Sequence, residues 1–277
     1  MIGRFDTNKG RIEAFKASHF PTNLMLGPLP YIGGKRALAK QIIAIFPEHT
    51  TYVEPFAGGA QVLFRKGPSK VEVLNDLDGE VVNFYRVCQQ HYQELVRYLR
   101  YTLASRAWLD LLKVTQLAML TDIQRAARFY YLQKNSFAGL VRRHNFTARV
   151  VLPTNYNPER VPEWIENTHR RLANVQIEAL PYEEVLKRYD RPTTLFYLDP
   201  PYFGRKLYNH NFEPADFDAL AERLKELQGK FVLSLNDLPE VRKIFRDFKM
   251  KDVQLAYTGA RHKAKGHRFQ ELLITNF

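Results

Sequence analysis

An α/β fold built on a parallel sheet and interrupted by a mainly helical insertion is predicted by three features of this sequence. Short apolar strands run into polar or glycine turns and then into helices in the first hundred residues. The same grammar returns after residue 191. Between the two lies a stretch of different composition, from about Ala104 to Asp190. It is rich in arginine, asparagine and aromatic residues: Arg125, Arg128, Tyr130, Tyr131, Lys134, Asn135, Phe137, Arg142, Arg143, His144, Asn145, Phe146 and Arg149.

Taken in order, Leu38 to Phe46 reads as a short amphipathic helix after a Gly-Gly-Lys turn. Thr51 to Glu54 is a strand running into Pro55, and Lys70 to Leu74 is a strand ending at Asn75-Asp76. Asp78 to Leu103 predicts one helix, with Val81, Val82, Phe84, Tyr85, Val87, Leu95, Val96 and Leu99 at helical spacing. The insertion follows, with an irregular or hairpin segment near Asn135 to Pro153. Thr194 to Leu198 is a strongly apolar strand. Pro214 to Leu227 is a helix with Phe217, Leu220, Leu224 and Leu227 on one face. Lys230 to Leu235 is a strand and Pro239 to Phe245 a short helix. Val253 to Tyr257 and Glu271 to Thr275 close the sheet. There is no internal repeat and no low-complexity linker. The domains expected are a basic leader over 1–30, a sheet domain over 31–103 and 191–277, and the insertion over 104–190.

Composition narrows the functional classes. No stretch approaches the roughly 18 consecutive apolar residues of a membrane span, and Met1 to Leu24 lacks the apolar run of a signal peptide. A soluble, cytoplasmic protein is expected. A single cysteine, Cys88, excludes a disulfide framework or a cysteine zinc site, and its helical context predicts burial. The net charge of +12 makes a polyanion a natural partner. His262 and His267 sit among Arg261, Lys263, Lys265 and Arg268 with no acidic or cysteine neighbour at ligand spacing. That loop suits phosphates better than a metal.

Four motifs carry chemistry. Asp199-Pro200-Pro201-Tyr202 directly follows the strand T-L-F-Y-L, at the carboxyl end where parallel sheets bind ligands. Two prolines fix the backbone and remove its N–H donors. A carboxylate beside a fixed carbonyl suits a group with two N–H donors, such as an adenine amine, and Tyr202 offers a flat ring for a base. The ordinary reading is a strand ending in a proline turn with Asp199 as turn former. Glu54-Pro55-Phe56-Ala57-Gly58-Gly59 joins a strand to a helix with glycines that admit a ligand close to the backbone. It lacks the Gly-Lys-Ser/Thr ending of a phosphate cradle. Asn75-Asp76 ends the next strand, where nucleotide sites place an acid against ribose hydroxyls; a helix-capping acid is the alternative. Tyr31-Ile32-Gly33-Gly34-Lys35 precedes a helix and could hold a carboxylate, or simply start the helix.

In this order the motifs resemble the Dam-type (D12 class) DNA adenine-N6 methyltransferases of the α group. Y-I-G-G-K is similar to that family's N-terminal cofactor motif, E-P-F-A-G-G to its F-x-G motif, V-L-N-D to its acidic strand end and D-P-P-Y to its catalytic motif. Further similar stretches are K-N-S-F-A-G-L-V-R (Lys134 to Arg142), D-P-P-Y-F-x-x-x-L-Y, F-V-L-S-L-N-D (Phe231 to Asp237) and E-L-L-I-T-N (Glu271 to Asn276). The resemblance runs from about Tyr31 to the C-terminus. It implies the S-adenosylmethionine-dependent methyltransferase fold: a seven-stranded, mostly parallel sheet with helices on both faces, a reversed hairpin at one edge, and an inserted target-recognition domain. It implies S-adenosyl-L-methionine held by Tyr31, Lys35, Asp76 and Asp199, with Phe56 and Gly58 lining its pocket and Glu54 behind them. Asp199, Pro200, Pro201 and Tyr202 would be catalytic, acting on the N6 amine of an adenine flipped out of double-stranded DNA.

In the insertion Asn135, Phe137, Gly139, Leu140, Arg142, Arg143 and Arg149 are the expected DNA contacts. Arg142 would read a base and Arg143 and Arg149 would hold phosphates. No metal is needed, no membrane is involved, and a monomer is expected. The chain departs from the family in its Ala57-Gly58-Gly59-Ala60 run, where other members place the final glycine one residue later, and in Ala138, where many have Asn. The alternatives are methylation of another planar amine (cytosine N4, an RNA adenine, a protein glutamine) and a DNA-binding regulator without catalysis.

Overall fold

The computed structural model describes residues 27–31, 35–135, 156–254 and 270–277. A seven-stranded sheet runs through it in the order β3-β2-β1-β4-β5-β7-β6. The strands are β1 (Thr51–Glu54), β2 (Val71–Asn75), β3 (Val175–Glu178), β4 (Thr194–Leu198), β5 (Lys230–Asn236), β6 (Lys249–Gln254) and β7 (Gln270–Thr275). The first five pair in parallel, while β7 lies antiparallel between β5 and β6. This is the reversed hairpin at the edge that the resemblance implied.

Alternation along the strands divides the core into two layers. Tyr52, Leu74, Leu195, Tyr197, Val232 and Leu273 face one side, against α2 (Gly79–Gln90), α5 (Asp122–Asn135) and α6 (Val161–Leu172). Val53, Val73, Phe196, Leu198, Phe231 and Leu233 face the other, against α7 (Tyr182–Tyr189), α8 (Pro214–Lys225) and α9 (Pro239–Ile244). Burial on both faces explains the uninterrupted apolar run of β4, every residue of which is buried. Cys88 is buried on α2, as its context predicted, and burial pushes its thiol up.

The remaining helices are α1 (Ala39–Ile43), α3 (Tyr92–Leu99) and α4 (Arg106–Val114). The single helix expected over Asp78 to Leu103 is two, because the chain leaves the helical region at His91 (φ −134°, ψ 36°). Just before the break, the Gln89 amide donates to the carbonyls of Leu172 and Val175, at 2.7 and 2.8 Å, and so closes the end of α6.

The insertion was expected over 104–190. Its last residues form β3, which pairs with β2 from Glu72↔Val175 to Asn75↔Glu178, and then α7 on the sheet's second face. V-Q-I-E is a half-buried edge strand, so its alternation is weak. Even α6 is bolted to the sheet. Arg171, 8% exposed, forms a two-pronged pair with Glu72 of β2 and donates to the Leu63 carbonyl. At the other edge β6 begins at Lys249, four residues before the expected start. Lys249, Lys251 and Asp252 are exposed there, a charge pattern that hides an edge strand from an apolar count.

Candidate functional site: a cavity at the switch between β1 and β4

The connection from β3 crosses to β4, on the far side of β1. The loops leaving the carboxyl ends of β1 and β4 therefore part, and a crevice opens between them. A cavity of about 570 Å³ lies there. Tyr31, Lys35, Glu54, Phe56, Gly58, Asp76, Asp199 and Pro201 all line it. Eight sequence-predicted residues from four separate motifs thus meet at one place.

The glycine turn after β1 is held by β2. One oxygen of Asp76 accepts the Gly58 N–H at 2.8 Å and the other the Asp78 N–H at 2.9 Å. Asp76 thus braces the turn and borders the cavity at once. Burial raises its carboxyl to about 6, against the pull of those two N–H groups. The helix-capping role belongs instead to Asp78, which accepts from Glu80 N–H at the start of α2. Gly58 needs its glycine: its φ is +45°, and a Cβ there would stand 3.0 Å from the Tyr31 ring. Ala60 adopts φ +44° with no such freedom. Asn75 staples two loops, donating to the carbonyls of Pro55 and Leu180 and accepting the Leu180 N–H.

Glu54 ends β1 beneath the cavity. One of its oxygens accepts the Tyr52 hydroxyl and the Leu63 N–H, each at 2.7 Å. Burial pushes its carboxyl up to about 7, although both hydrogen bonds and Lys66 oppose the rise. Phe56 packs against Tyr182 and Phe212, with ring centroids 5.4 and 5.7 Å away, and forms an apolar wall. Tyr31 stacks on Tyr208 at 6.1 Å and 17°.

Asp199 follows β4. Its Oδ1 lies 2.5 Å from the Lys35 ammonium and 3.2 Å from the Ser234 hydroxyl. Among the described residues no hydrogen bond occupies its Oδ2. Lys35 also lies 3.0 Å from the Tyr202 hydroxyl and 3.1 Å from Glu271. Burial alone would lower the Lys35 ammonium, but Asp199 and Glu271 outweigh it and hold it well above its usual range. Burial raises Asp199, and Lys35 and Ser234 draw it back. Pro200 is buried next to it. Tyr202 stands beside the cavity with its hydroxyl donating to Glu271 and its ring 4.7 Å from the Lys35 nitrogen.

Tyr208, Ser234 and Glu271 also belong to this site; the sequence reading quoted the stretches that contain them but gave none of the three a role. A signal existed for two, since Ser234 and Glu271 are polar residues within or beside otherwise apolar runs, F-V-L-S-L and E-L-L-I. Asn135 is placed away from the surface. It is buried at the end of α5, its amide donating to the Tyr131 carbonyl at 3.0 Å. Gly33, Gly34, Phe137, Gly139, Leu140, Arg142, Arg143, Arg149 and the basic loop around His262 and His267 lie outside the described residues.

The residues present suit S-adenosylmethionine. The cavity is within the usual size of a small-ligand site, aromatic rings flank it, and its carboxylates match a cationic, hydroxyl-bearing ligand. The family model described as D12 class N6 adenine-specific DNA methyltransferase matches residues 31–258. A type II methyltransferase of Lactococcus lactis subsp. cremoris is 28% identical over 269 residues, covering 89% of this chain and 94% of that one. A retron DNA adenine methylase of Escherichia coli is 24% identical over 235 residues, covering 79% of this chain and 80% of that one. Among solved structures, a Streptococcus mutans protein described as a methyltransferase and crystallised with SAH aligns over 86% of this chain and 94% of its own, at 10% identity and a TM-score of 0.34. With the family model spanning the cavity and most of the sheet, the chain belongs to the D12 class N6 adenine-specific DNA methyltransferase family.

Proposed function

We propose that this protein methylates the N6 amine of adenine in double-stranded DNA, taking the base out of the duplex and into the Asp199–Tyr202 edge of the cavity. Membership of the family carries the reaction class and its methyl donor, S-adenosylmethionine. When bound, that cofactor supplies a methyl group already activated on a sulfonium. The protein's task is to hold donor and amine in line and to make the amine's lone pair available. Tyr31, Phe56, Gly58 and Asp76 would hold the cofactor, with Glu54 below it and Lys35 near its carboxylate.

The observation that carries the reading is the asymmetry of Asp199. Lys35 and Ser234 fix Oδ1, so Oδ2 is left to accept a hydrogen bond from the amine while the Pro200 carbonyl accepts the second. Two such acceptors draw the amine towards tetrahedral nitrogen. Tyr202 would stack on the extruded base. Arg142, Arg143 and Arg149 would meet the DNA, Arg142 at a base edge. Nucleoside analysis of duplex DNA incubated with the protein and S-adenosylmethionine should show N6-methyladenine. N4-methylcytosine in its place, or no modified nucleoside, would overturn the proposal.

A further inference from the structure

The reaction as proposed uses Asp199 and leaves a second buried carboxylate beside it without a task. Glu271 is the second residue of β7, the antiparallel strand, lies opposite Asn236 of β5, and is 3% exposed. It lies 3.1 Å from the Lys35 ammonium and accepts the Tyr202 hydroxyl with both oxygens, at 3.0 and 2.9 Å. Lys35, itself 4% exposed, is therefore shared between two carboxylates, Asp199 at 2.5 Å and Glu271 at 3.1 Å. Burial raises both carboxyls while Lys35 draws both back; with both ionised, one ammonium between two carboxylates leaves a surplus negative charge in a desolvated place, where charge acts strongly.

We propose that Glu271 is a positioning residue for methyl transfer: it anchors Lys35 and Tyr202 together and prevents Lys35 from neutralising Asp199. The inference rests on the adenine-methylation reading and gives a task to Glu271, to which the similar stretch E-L-L-I-T-N assigned none. The physical need is clear. Methyl transfer would leave a neutral thioether on the donor and positive charge on the amine nitrogen, whose proton would then pass to water. A lysine committed wholly to Asp199 would cancel the charge meant to stabilise that change. A preorganised surplus of one negative charge favours it. Glu271 also ties the D-P-P-Y loop to the edge hairpin, so the Tyr202 ring has a fixed setting before a base arrives. The other titratable groups around the cluster are Tyr197, Tyr202 and Tyr208, whose hydroxyls burial holds neutral, and Glu54 further along the cavity.

Two variants of the whole chain separate this role from a structural one. Glu271→Gln keeps an acceptor and the volume but removes the charge; Glu271→Asp keeps the charge on a shorter arm. Competitive acylation of Lys35 against pH, in protein without cofactor or DNA, reads the shared charge directly. Glu271→Gln should move Lys35 reactivity to lower pH, and Glu271→Asp should keep it near wild type. In single-turnover transfer Glu271→Gln should be slower by about tenfold or more, with the acid limb of its rate profile moved to lower pH because Lys35 then serves Asp199 alone. Its melting temperature should account for none of that loss. An unshifted Lys35 profile in Glu271→Gln, or a wild-type transfer rate, overturns the inference. If Glu271→Gln does not fold, a shifted Lys35 profile in Glu271→Asp overturns it equally. A wild-type protein that makes no N6-methyladenine would defeat the functional reading instead, while the acylation comparison would still decide the cluster.

Discussion

At the residue scale, the glycine turn holds a small structural debt. Ala60 has φ +44°, a left-handed conformation that costs a residue with a Cβ about 1 kcal/mol relative to glycine. Ala60→Gly should raise stability by a few tenths to about 1 kcal/mol in thermal or denaturant unfolding, with cofactor affinity kept; destabilisation would show that the turn does not need that conformation. Asp76 is the second test. It braces Gly58 and borders the cavity, so Asp76→Ala should weaken S-adenosylmethionine binding by roughly 1.5–3 kcal/mol, the scale of a lost hydrogen bond to a charged group, and leave DNA affinity nearly unchanged. Calorimetry with each ligand checks this, and an unchanged cofactor affinity would reduce Asp76 to a turn brace. Asp76 was legible from its place after an apolar strand. The strain at Ala60 was not, because only the backbone shows which residue of the turn turns left-handed.

At the scale of elements, the end of β1 carries a pH signature. Glu54 is fully buried, and its carboxyl is raised from an ordinary value near 4.5 to about 7. A carboxyl raised on folding adds stability that is present below its unfolded pKa and is lost as pH rises through its folded one. Glu54→Gln keeps the acceptor for Tyr52 and Leu63 while removing the buried charge. It should stabilise the protein at pH 8, by up to about 3 kcal/mol, and have little effect at pH 5. Melting curves at the two pH values test it; equal shifts would mean that Glu54 does not titrate in this window. Strands β1, β4 and β5 were readable because both faces are buried and their apolar runs are continuous. The edge strands β3 and β6 were misplaced or missed because one face is polar and their alternation is diluted by charge. The role of α6 was hidden for another reason. Its anchor is one buried ion pair, Arg171 to Glu72, between residues 99 apart in the chain, and nothing local announces such a partner. Breaking it with Arg171→Ala should destabilise the fold by about 1–3 kcal/mol, because Glu72 keeps Lys66 at one oxygen while its other oxygen and the Leu63 carbonyl lose their buried donor; no measurable loss in denaturant unfolding would contradict that anchoring.

At the scale of the whole molecule, charge is segregated. The chain carries +12, yet the cavity is lined by Glu54, Asp76, Asp78, Glu183, Asp199 and Asp216 against the single ammonium of Lys35. The basic surplus must therefore lie outside the cavity, where a polyanion can meet it, while the cavity favours a cation. The motifs that meet in the cavity were readable in advance, because parallel strands bring their carboxyl ends to one edge whatever their distance in sequence. Glu271 comes to the edge of that site near the start of the antiparallel strand β7, not at the carboxyl end of a parallel one, and so escaped that logic. Asp199, fixed through one oxygen by Lys35 and Ser234, is proposed to orient the adenine amine with the other. Single-turnover methyl transfer to duplex DNA by Asp199→Ala, measured beside its DNA affinity, tests it most directly. The account predicts a rate lower by about 100-fold or more with DNA affinity largely kept, since phosphate contacts elsewhere supply most of it; transfer near the wild-type rate would contradict it.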